Sequence, residues 1–302
     1  MEDDIAVEDH TVAWIDLDGA VNVRDLGELA TDDGRLTAPG RLLRGDNLQD
    51  LSPADVRRLV HDIGLTTVID LRSPQEVAAE GPGPLTRVPS VRHLYHSLLP
   101  ELGQATDAAA DPPGDADGPA ADADGPAADA DGPASVAARA LAIRRRDVAL
   151  ALSPDDARVG YYDGYLEDRP DQVVAALRGI AHSPGAALVH CAAGKDRTGV
   201  VVALALTAVG VRRDAVIADY AATAERMHAV LDRLRARPIY AEDTNSRPAD
   251  EHMPYPHTMA RFLDLLNTRY GGALAWLDGQ GFGPADVSAL RASLLNPDHS
   301  LR

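Results

Sequence analysis

The stretch His190-Cys191-Ala192-Ala193-Gly194-Lys195-Asp196-Arg197-Thr198-Gly199 decides how the rest of this 302-residue sequence is interpreted. It holds the only cysteine of the chain and the only lysine, although lysine and arginine together number 29. A short apolar run, 186–189, precedes it, and a longer one, 200–209, follows it and ends at Gly210. This order predicts a buried strand, a tight loop and a buried helix.

A loop between a strand and a helix N-terminus is suited to an anion, because unpaired backbone N–H groups and the helix dipole both favour negative charge there. The spacing from Cys191 to Arg197 lets such a loop surround a tetrahedral oxyanion, with the sulfur below it and the guanidinium on two of its oxygens. The same environment favours the nucleophilic thiolate form of Cys191. Lys195 adds a compact point charge, unlike the flat fork of an arginine.

The pattern Cys-x5-Arg-Thr with a preceding His resembles the cysteine-dependent protein tyrosine phosphatases. The longer form His-Cys-x-x-Gly-Lys-Asp-Arg-Thr-Gly resembles their bacterial branch, which acts on phosphotyrosine, phosphoserine or phosphothreonine, and phosphoinositides. Two earlier segments, 22–27 and 41–45, are similar to the Asn-Arg-Asp-Leu-Gly-Gly and Gly-Arg-Leu-x-Arg-Ser elements of that branch. They depart from it at Glu28, where the branch has a second Gly, and at Gly45, where it has Ser.

The resemblance implies an α/β fold, in which a central, mostly parallel sheet is flanked by helices and a helical lid covers the active site. We expect a single phosphatase domain over residues 1–302, with the lid at 212–240. Residues 103–134 consist almost wholly of Ala, Asp, Gly and Pro, with eight aspartates and no basic residue. Because repeated Pro and Gly oppose a helix and no large apolar residue is present, this segment is predicted to be a disordered acidic insert.

The mechanism that the resemblance implies is hydrolysis of a phosphate ester in two steps. Cys191 attacks phosphorus, Arg197 and the loop amides hold the equatorial oxygens, and water hydrolyses the phosphocysteine. Asp196 is our first candidate for the acid that protonates the leaving oxygen, with Asp70 and Asp163 in reserve. The residues expected to contact substrate are Ala192, Ala193, Gly194, Lys195 and Thr198.

Supporting roles are expected for other residues at or near the loop. His190 is expected to hold the loop by a backbone hydrogen bond, and Thr198 to donate to the sulfur. Asp70 and Arg72 lie at the carboxyl end of a β-branched strand, 66–71, so they are expected beside the loop, either in a functional role or as a structural ion pair. Lys195 at the rim is placed to meet a second phosphate, which makes inositol lipids plausible substrates.

Three alternative functions stay open on sequence grounds. A phosphate-binding pseudophosphatase would recognise phosphoproteins without turnover, although it would need neither Cys191 nor Asp196. The segment Asp16-Leu17-Asp18-Gly19 has the form of the nucleophile motif of magnesium-dependent aspartyl phosphatases. Ala20 stands where that motif has Thr or Val, and an edge strand with a turn at Asp18-Gly19 explains 12–21 better. A cysteine loop of this size also occurs in rhodanese-like sulfur transfer.

Composition limits the partners and the location. The net charge of −18 argues against nucleic acid and against an anionic membrane surface. A single cysteine allows no internal disulfide, no apolar run approaches transmembrane length, and residues 1–10 are acidic, unlike a signal peptide. We therefore expect a cytoplasmic protein that acts on a phosphorylated protein or a phosphoinositide, with export by a signal-less route left open. No metal or organic cofactor is predicted, and the oligomeric state is not.

The remaining patterns predict helices and their ends. Ser52 caps a helix to about residue 63, and Ser73 with Glu76 forms a capping box for another. The tyrosines of 161–166 suit core packing better than a contact with a substrate ring. A polar loop is expected to follow residue 237 and to extend to His252. The other predicted helices cover 135–152, 171–182, 212–237 (as two helices), 259–266 and 284–290.

Overall fold

The apolar run before Cys191 forms the central strand of a six-stranded sheet. The computed structural model describes residues 11–99, 154–246 and 248–296. Within these residues the strand order is β1-β2-β3-β6-β4-β5; β3, β6, β4 and β5 pair in parallel, and β1 and β2 add an antiparallel edge. The expected mostly parallel sheet is therefore confirmed. The strands are β1 Ala13–Trp14, β2 Arg24–Asp25, β3 Leu42–Gly45, β4 Leu65–Asp70, β5 Arg92–Tyr95 and β6 Ala186–His190.

Helices flank both faces of this sheet. The helix after the loop, α5, begins at Asp196 and ends before Gly210, whose φ of 90° is the left-handed conformation that favours glycine. The α-helices are α1 Pro53–Arg57, α2 Pro74–Glu80, α3 Pro154–Asp168, α4 Pro170–Ala181, α5 Asp196–Val209, α6 Arg213–Ala222, α7 Met227–Arg235, α8 Pro238–Asn245, α9 Pro256–Tyr270, α10 Ala273–Gly279 and α11 Pro284–Leu294.

Alternation along the strands divides the core into two layers. In β6, Ala187 and Val189 belong to the larger apolar cluster, which includes α4, α5 and the later helices. Leu188, between them, faces a smaller cluster built with β3, β4 and the residues around α1. Because successive strand residues point to opposite faces, a fully buried strand needs apolar residues at nearly every position. The continuous run 186–189 supplies them.

The predicted N-cap at Ser52 and the predicted capping box at Ser73 are both present, and Ser52 also forms a capping box. The Ser52 hydroxyl accepts from the Asp55 amide at the start of α1, and the Ser73 hydroxyl accepts from the Glu76 amide at the start of α2. The predicted helix over 53–63 changes character at Arg58, where a wider, π-type turn carries it to residue 62. The capping residues predicted where these helices begin more accurately than the apolar pattern predicted how they continue.

Several predicted boundaries differ from the structure. Only Ala13–Trp14 of the predicted edge strand 12–21 pairs as a strand, because the chain then turns so that the Asp18 and Gly19 amides bind Asp55. Helix α8 lies within the predicted polar loop, and α10 was not predicted. The insert 103–134 and the predicted helix 135–152 lie outside the described residues. Among the residues described, no helix combines the length and apolarity needed to cross a bilayer.

Candidate active site

The loop that follows β6 lies where the carboxyl ends of three neighbouring strands meet. β6 pairs with β3 on one side and with β4 on the other, so the residues that follow each strand converge on Cys191. In parallel sheets, ligands bind beyond the carboxyl ends of the strands. The topology therefore places the loop where the sequence predicted it.

The loop backbone is held from outside by its carbonyl groups. Three consecutive carbonyl oxygens accept hydrogen bonds from the surrounding scaffold, each from a different residue. Because C=O and N–H point in opposite directions across a trans peptide, the amides of residues 193–195 are turned toward the inside of the loop. The donors are the Asn47 amide to Ala192 at 3.0 Å, Asn22 Nδ2 to Ala193 at 3.0 Å and Arg44 Nη2 to Gly194 at 2.7 Å.

Gly194 is required by both conformation and space. Its φ is +70°, and a Cβ there would lie 2.5 Å from the carbonyl oxygen of Gly45. A Cβ on Gly45 would lie only 3.1 Å from Val23 Cγ2. The glycine that stands here in place of the Ser of the resembled branch therefore suits the limited space. The other departure, Glu28, adopts a φ of 63°, which explains why a glycine suits that position.

Cys191 and His190 lie at the bottom of the loop. Cys191 is fully buried, and His190 Nδ1 lies 3.2 Å from the Cys191 carbonyl oxygen. Burial lowers the pKa of His190 to about 4, although Asp70, whose Oδ2 lies 3.7 Å from Nε2, opposes the shift. His190 is therefore neutral near pH 7 and adds no charge beside the sulfur.

Arg197 is oriented by a carboxylate that sequence analysis assigned only to capping. Its Nη1 and Nη2 lie 2.7 and 2.8 Å from the two oxygens of Glu76, and Nη1 also donates to the Leu71 carbonyl at 3.2 Å. Both side chains are fully buried. Burial opposes ionisation of Glu76, but the facing Arg197 outweighs it and holds the pKa of Glu76 below its usual value. A bidentate pair of this kind fixes the plane of the guanidinium.

A second buried network connects the loop to helix α6. Asp219 accepts from Arg24 Nε at 2.8 Å and from Arg44 Nη1 at 2.5 Å, and all three side chains are buried. Arg44 is also the donor to Gly194, so the carboxylate of α6 holds the arginine that holds the loop. Two arginines share one carboxylate, which leaves positive charge beside the loop. The segments 22–27 and 41–45, which resemble the phosphatase branch, thus act as scaffold for the loop. Asp219 was not among the residues predicted from the sequence.

Lys195 and Asp196 form a pair at the start of α5. Lys195 Nζ lies 3.3 Å from Asp196 Oδ2 and donates to the His252 carbonyl at 3.0 Å. Asp196 Oδ1 accepts from the Tyr162 hydroxyl at 2.5 Å. Burial would raise the pKa of Asp196, but Lys195, Arg158 and the Tyr162 hydrogen bond outweigh it and hold that pKa below its usual value. The carboxyl is therefore ionised in this state.

Helices α7 and α8 cover the loop. Ala192 and Ala193 pack against an apolar cluster, and a cleft of about 210 Å³, measured out to solvent, remains between Ala192 and α7. Two arginines of this cover hold it closed: Arg233 Nε lies 3.4 Å from Asp46, and Arg237 pairs with Asp50. The residues that the cover contributes to the cluster are Met227, Val230, Leu231, Leu234 and Tyr240.

The two reserve candidates for the acid, Asp70 and Asp163, have structural partners. Asp70 forms a buried ion pair with Arg72, with 2.5 Å between Oδ2 and Nη2, at the edge of the loop. Asp163 pairs with Arg269 and accepts from the Tyr270 hydroxyl at 2.7 Å, which connects α3 to α9. The adjacent tyrosines Tyr162 and Tyr165 are buried in the core, as predicted.

Asp16, the alternative nucleophile, is exposed. Its side chain is 82% exposed and pairs with Arg226 at 3.3 Å. Within residues 11–99, 154–246 and 248–296 no group of three or more metal-ligating side chains is found. The environment of Asp16 is that of a surface carboxylate in a salt bridge.

Comparison with known proteins decides the family. The model of a tyrosine phosphatase family matches residues 15–296. The chain belongs to the tyrosine phosphatase family. The triple specificity protein phosphatase PtpB of Mycobacterium tuberculosis is 32% identical to this phosphatase over 297 residues, which cover 93% of this chain and 98% of the relative.

Two further relatives match shorter parts of the phosphatase. A Cupriavidus necator protein, provisionally named a tyrosine-protein phosphatase, is 31% identical over 205 residues, 68% of this chain and 61% of the relative. A tyrosine-protein phosphatase of Nostoc commune is 27% identical over 147 residues, 47% of this chain and 50% of the relative. The chain is thus a phosphatase hydrolase by family, and the resemblance drawn from the loop is confirmed.

Proposed function

We propose that this phosphatase hydrolyses phosphotyrosine through a phosphocysteine on Cys191, and that phosphoserine, phosphothreonine and phosphoinositides are further substrates. The observation that supports this most directly is the loop itself, whose carbonyls at Ala192, Ala193 and Gly194 are tied outward so that its amides face inward. The name of the M. tuberculosis relative, a triple specificity protein phosphatase, supports the wider substrate range.

In the first step Cys191 attacks phosphorus, and the S–P bond forms as the bond to the leaving oxygen breaks. Negative charge spreads over the three equatorial oxygens, where the inward amides and Arg197 donate hydrogen bonds. Because Glu76 already orients the guanidinium, little reorganisation is needed at the transition state. The negative charge of the bound phosphate favours the protonated form of Asp196, which then gives its proton to the leaving oxygen.

In the second step water attacks phosphorus and the S–P bond breaks. Asp196, now ionised, takes the proton from this water, and Thr198 at the start of α5 supplies a hydroxyl for the departing thiolate. His190, neutral and hydrogen-bonded to the loop backbone, keeps the sulfur in place. These roles require no cofactor.

Substrate entry requires movement of the cover. Cys191 is fully buried, and Ala192 lies beneath α7, so a phosphate ester reaches the sulfur only when α7 and α8 move away. We therefore assign the lid, predicted at 212–240, to these two helices, with α6 as its buried base; the assigned lid ends with α8 at Asn245, five residues beyond the predicted end. The carbonyl of His252 must also release Lys195 before this cation meets a second phosphate.

The test is a comparison of initial rates on matched peptides carrying phosphotyrosine, phosphoserine or phosphothreonine and on an inositol phosphate. We expect turnover of all three peptide classes with phosphotyrosine fastest, and loss of all turnover in Cys191→Ser. A pseudophosphatase would bind the peptides without turnover. Activity that EDTA abolishes and vanadate spares would favour the aspartyl mechanism at Asp16. The single cysteine also suits a reducing compartment, so we propose a cytoplasmic location.

A further inference from the structure

Two buried tyrosines stand in line with the proposed acid. The Tyr162 hydroxyl on α3 lies 2.5 Å from Asp196 Oδ1, and the Tyr220 hydroxyl on α6 lies 2.7 Å from the Tyr162 oxygen. Tyr162 and Tyr220 are 0% and 1% exposed. Core packing explains where the two rings lie. It does not explain why two hydroxyls, 34 and 24 residues away from Asp196 in the sequence, form a line of hydrogen bonds that ends at the Asp196 carboxyl.

The direction of these two hydrogen bonds follows from the number of protons that the three side chains carry. An ionised carboxylate only accepts hydrogen bonds, so Tyr162 donates its single proton to Asp196. The Tyr162 oxygen then serves as the acceptor, and Tyr220 donates to it. Burial raises the pKa of both phenols, so neither gives up its proton near neutral pH. Hydrogen bonds aligned in this way strengthen one another.

The tyrosine rings are fixed by their neighbours. Tyr162 meets Phe262 of α9 edge to face, with 5.6 Å between ring centroids and an interplanar angle of 87°. Tyr220 closes against α5 at Gly199, where a Cβ would lie 3.0 Å from its Cδ2. Because both rings are held, the hydroxyls define a fixed position for Oδ1 of Asp196.

The two carboxyl oxygens of Asp196 have different neighbours. Tyr162 binds Oδ1, and Lys195 of the same loop lies 3.3 Å from Oδ2. Arg158, one helical turn before Tyr162, is a second cation that acts on this carboxyl, and Tyr220 reaches it through the Tyr162 hydroxyl. A phosphate group bound in the loop adds negative charge beside Asp196, which favours its protonated form when substrate is present.

We propose that Tyr162, backed by Tyr220, is the positioning residue of Asp196 and makes Oδ2 the atom that exchanges the proton with the leaving group. This rests on the proposed function, in which Asp196 is the acid. As the P–O bond breaks, the proton on Oδ2 passes to the leaving oxygen and Tyr162 stabilises the carboxylate that remains. In the second step, Oδ2 takes a proton from the attacking water. Tyr162 keeps its own proton throughout.

Tyr162→Phe tests the proposal because it removes the hydroxyl and keeps the ring. A carboxyl without this donor rotates more freely and loses a bond that stabilises its charged form, so the pKa of Asp196 rises. We expect kcat on an alkyl phosphate, whose leaving oxygen needs the proton, to fall about 10-fold more than kcat on p-nitrophenyl phosphate. Because an acid works only when protonated, the falling limb of the pH profile should move to higher pH.

Tyr270→Phe is the matched control. Its hydroxyl donates to Asp163 at 2.7 Å, the same kind of bond between the same kinds of residue, but it joins α3 to α9 and not to Asp196. We expect it to change neither the ratio of alkyl to aryl rates nor the pH profile. Loss of packing alone would lower both rates of Tyr162→Phe equally and would leave the limb in place, which would overturn the proposal.

Asp196→Asn separates this proposal from the function on which it rests. If Asp196→Asn lowers alkyl and aryl rates equally, Asp196 is not the acid and the proposed mechanism fails at that step. If Asp196→Asn lowers the alkyl rate selectively and Tyr162→Phe does not, only the positioning role fails. In the double variant, we expect no further loss of alkyl selectivity beyond that of Asp196→Asn.

Discussion

Glu76→Gln offers a sharp test of how the active site is built. Glu76 and Arg197 are both fully buried and joined by bonds of 2.7 and 2.8 Å, so the substitution makes the arginine face a neutral amide in place of a carboxylate. Removing one partner of a buried pair typically costs about 3–5 kcal/mol, and the amide oxygen retains one of the two bonds. We therefore expect the free energy of unfolding to fall by about 3 kcal/mol.

The effect on catalysis should exceed the effect of lost stability. A guanidinium without its bidentate partner no longer points at one fixed place, and loss of one preorganised donor typically costs about 100-fold or more in rate. We expect kcat/KM for p-nitrophenyl phosphate to fall about 100-fold. The rates should be measured near pH 7 in buffer without urea, where the variant stays folded. The pKa of Glu76 is already held below its usual value by Arg197, although burial opposes this, so the wild-type carboxylate is charged at that pH.

The chain provides a matched control for this experiment in Asp55. It occupies the same place in the capping box of α1 as Glu76 does in α2, accepts from the Ser52 amide at 2.9 Å and is also buried. Its other partners are the Asp18 and Gly19 amides, far from Cys191 in the sequence. Asp55→Asn should lower stability by about 1 kcal/mol and leave kcat/KM within about twofold of wild type. Equal losses of activity in the two variants, or none in Glu76→Gln, would refute the orienting role.

Three further predictions concern the scaffold. Asp219→Asn removes the carboxylate shared by Arg24 and Arg44, so the free energy of unfolding in urea should fall by about 3–5 kcal/mol, and a loss below about 1 kcal/mol would contradict the network. Gly194→Ala should lower kcat/KM about 100-fold because its Cβ meets Gly45, whereas Gly34→Ala, at a similar φ of +84° in open space, should not; similar activities would show that the loop tolerates displacement. Burial lowers the pKa of His190 from 6.5 to about 4, so the free energy of unfolding of the wild type should fall by about 3 kcal/mol as the pH drops between these values. His190→Asn should remove this pH dependence of stability, and an unchanged pH dependence would mean that other groups cause it.

The parts of the site that are local in sequence could be predicted from it. The strand, loop and helix around Cys191 follow from an apolar run, a ten-residue motif and a second apolar run, and all three are found at the expected places. The capping boxes at Ser52 and Ser73 are local as well. Short-range patterns specify such features because the interacting groups lie within a few residues of each other.

The partners that orient the loop could not be predicted, because they come from distant segments. Glu76 lies 121 residues before Arg197, and its capping role alone explained its presence in the sequence. Asp219 had one usable signal: it is a carboxylate beside Tyr220 on the same side of α6 as buried Val216, where an unpaired charge would be costly. Pattern reasoning identifies such a residue as needing a partner but does not say which of the arginines it meets.

The central claim is that Cys191 carries the phosphoryl group between the two steps, and trapping that intermediate tests it most directly. During turnover of an aryl phosphate, a rapid denaturing quench followed by mass spectrometry of peptides should show one added phosphoryl group on the peptide that contains Cys191. Cys191→Ser should show neither the adduct nor turnover. Full turnover by Cys191→Ser, or a phosphoryl group found on the peptide that contains Asp16, would contradict the account.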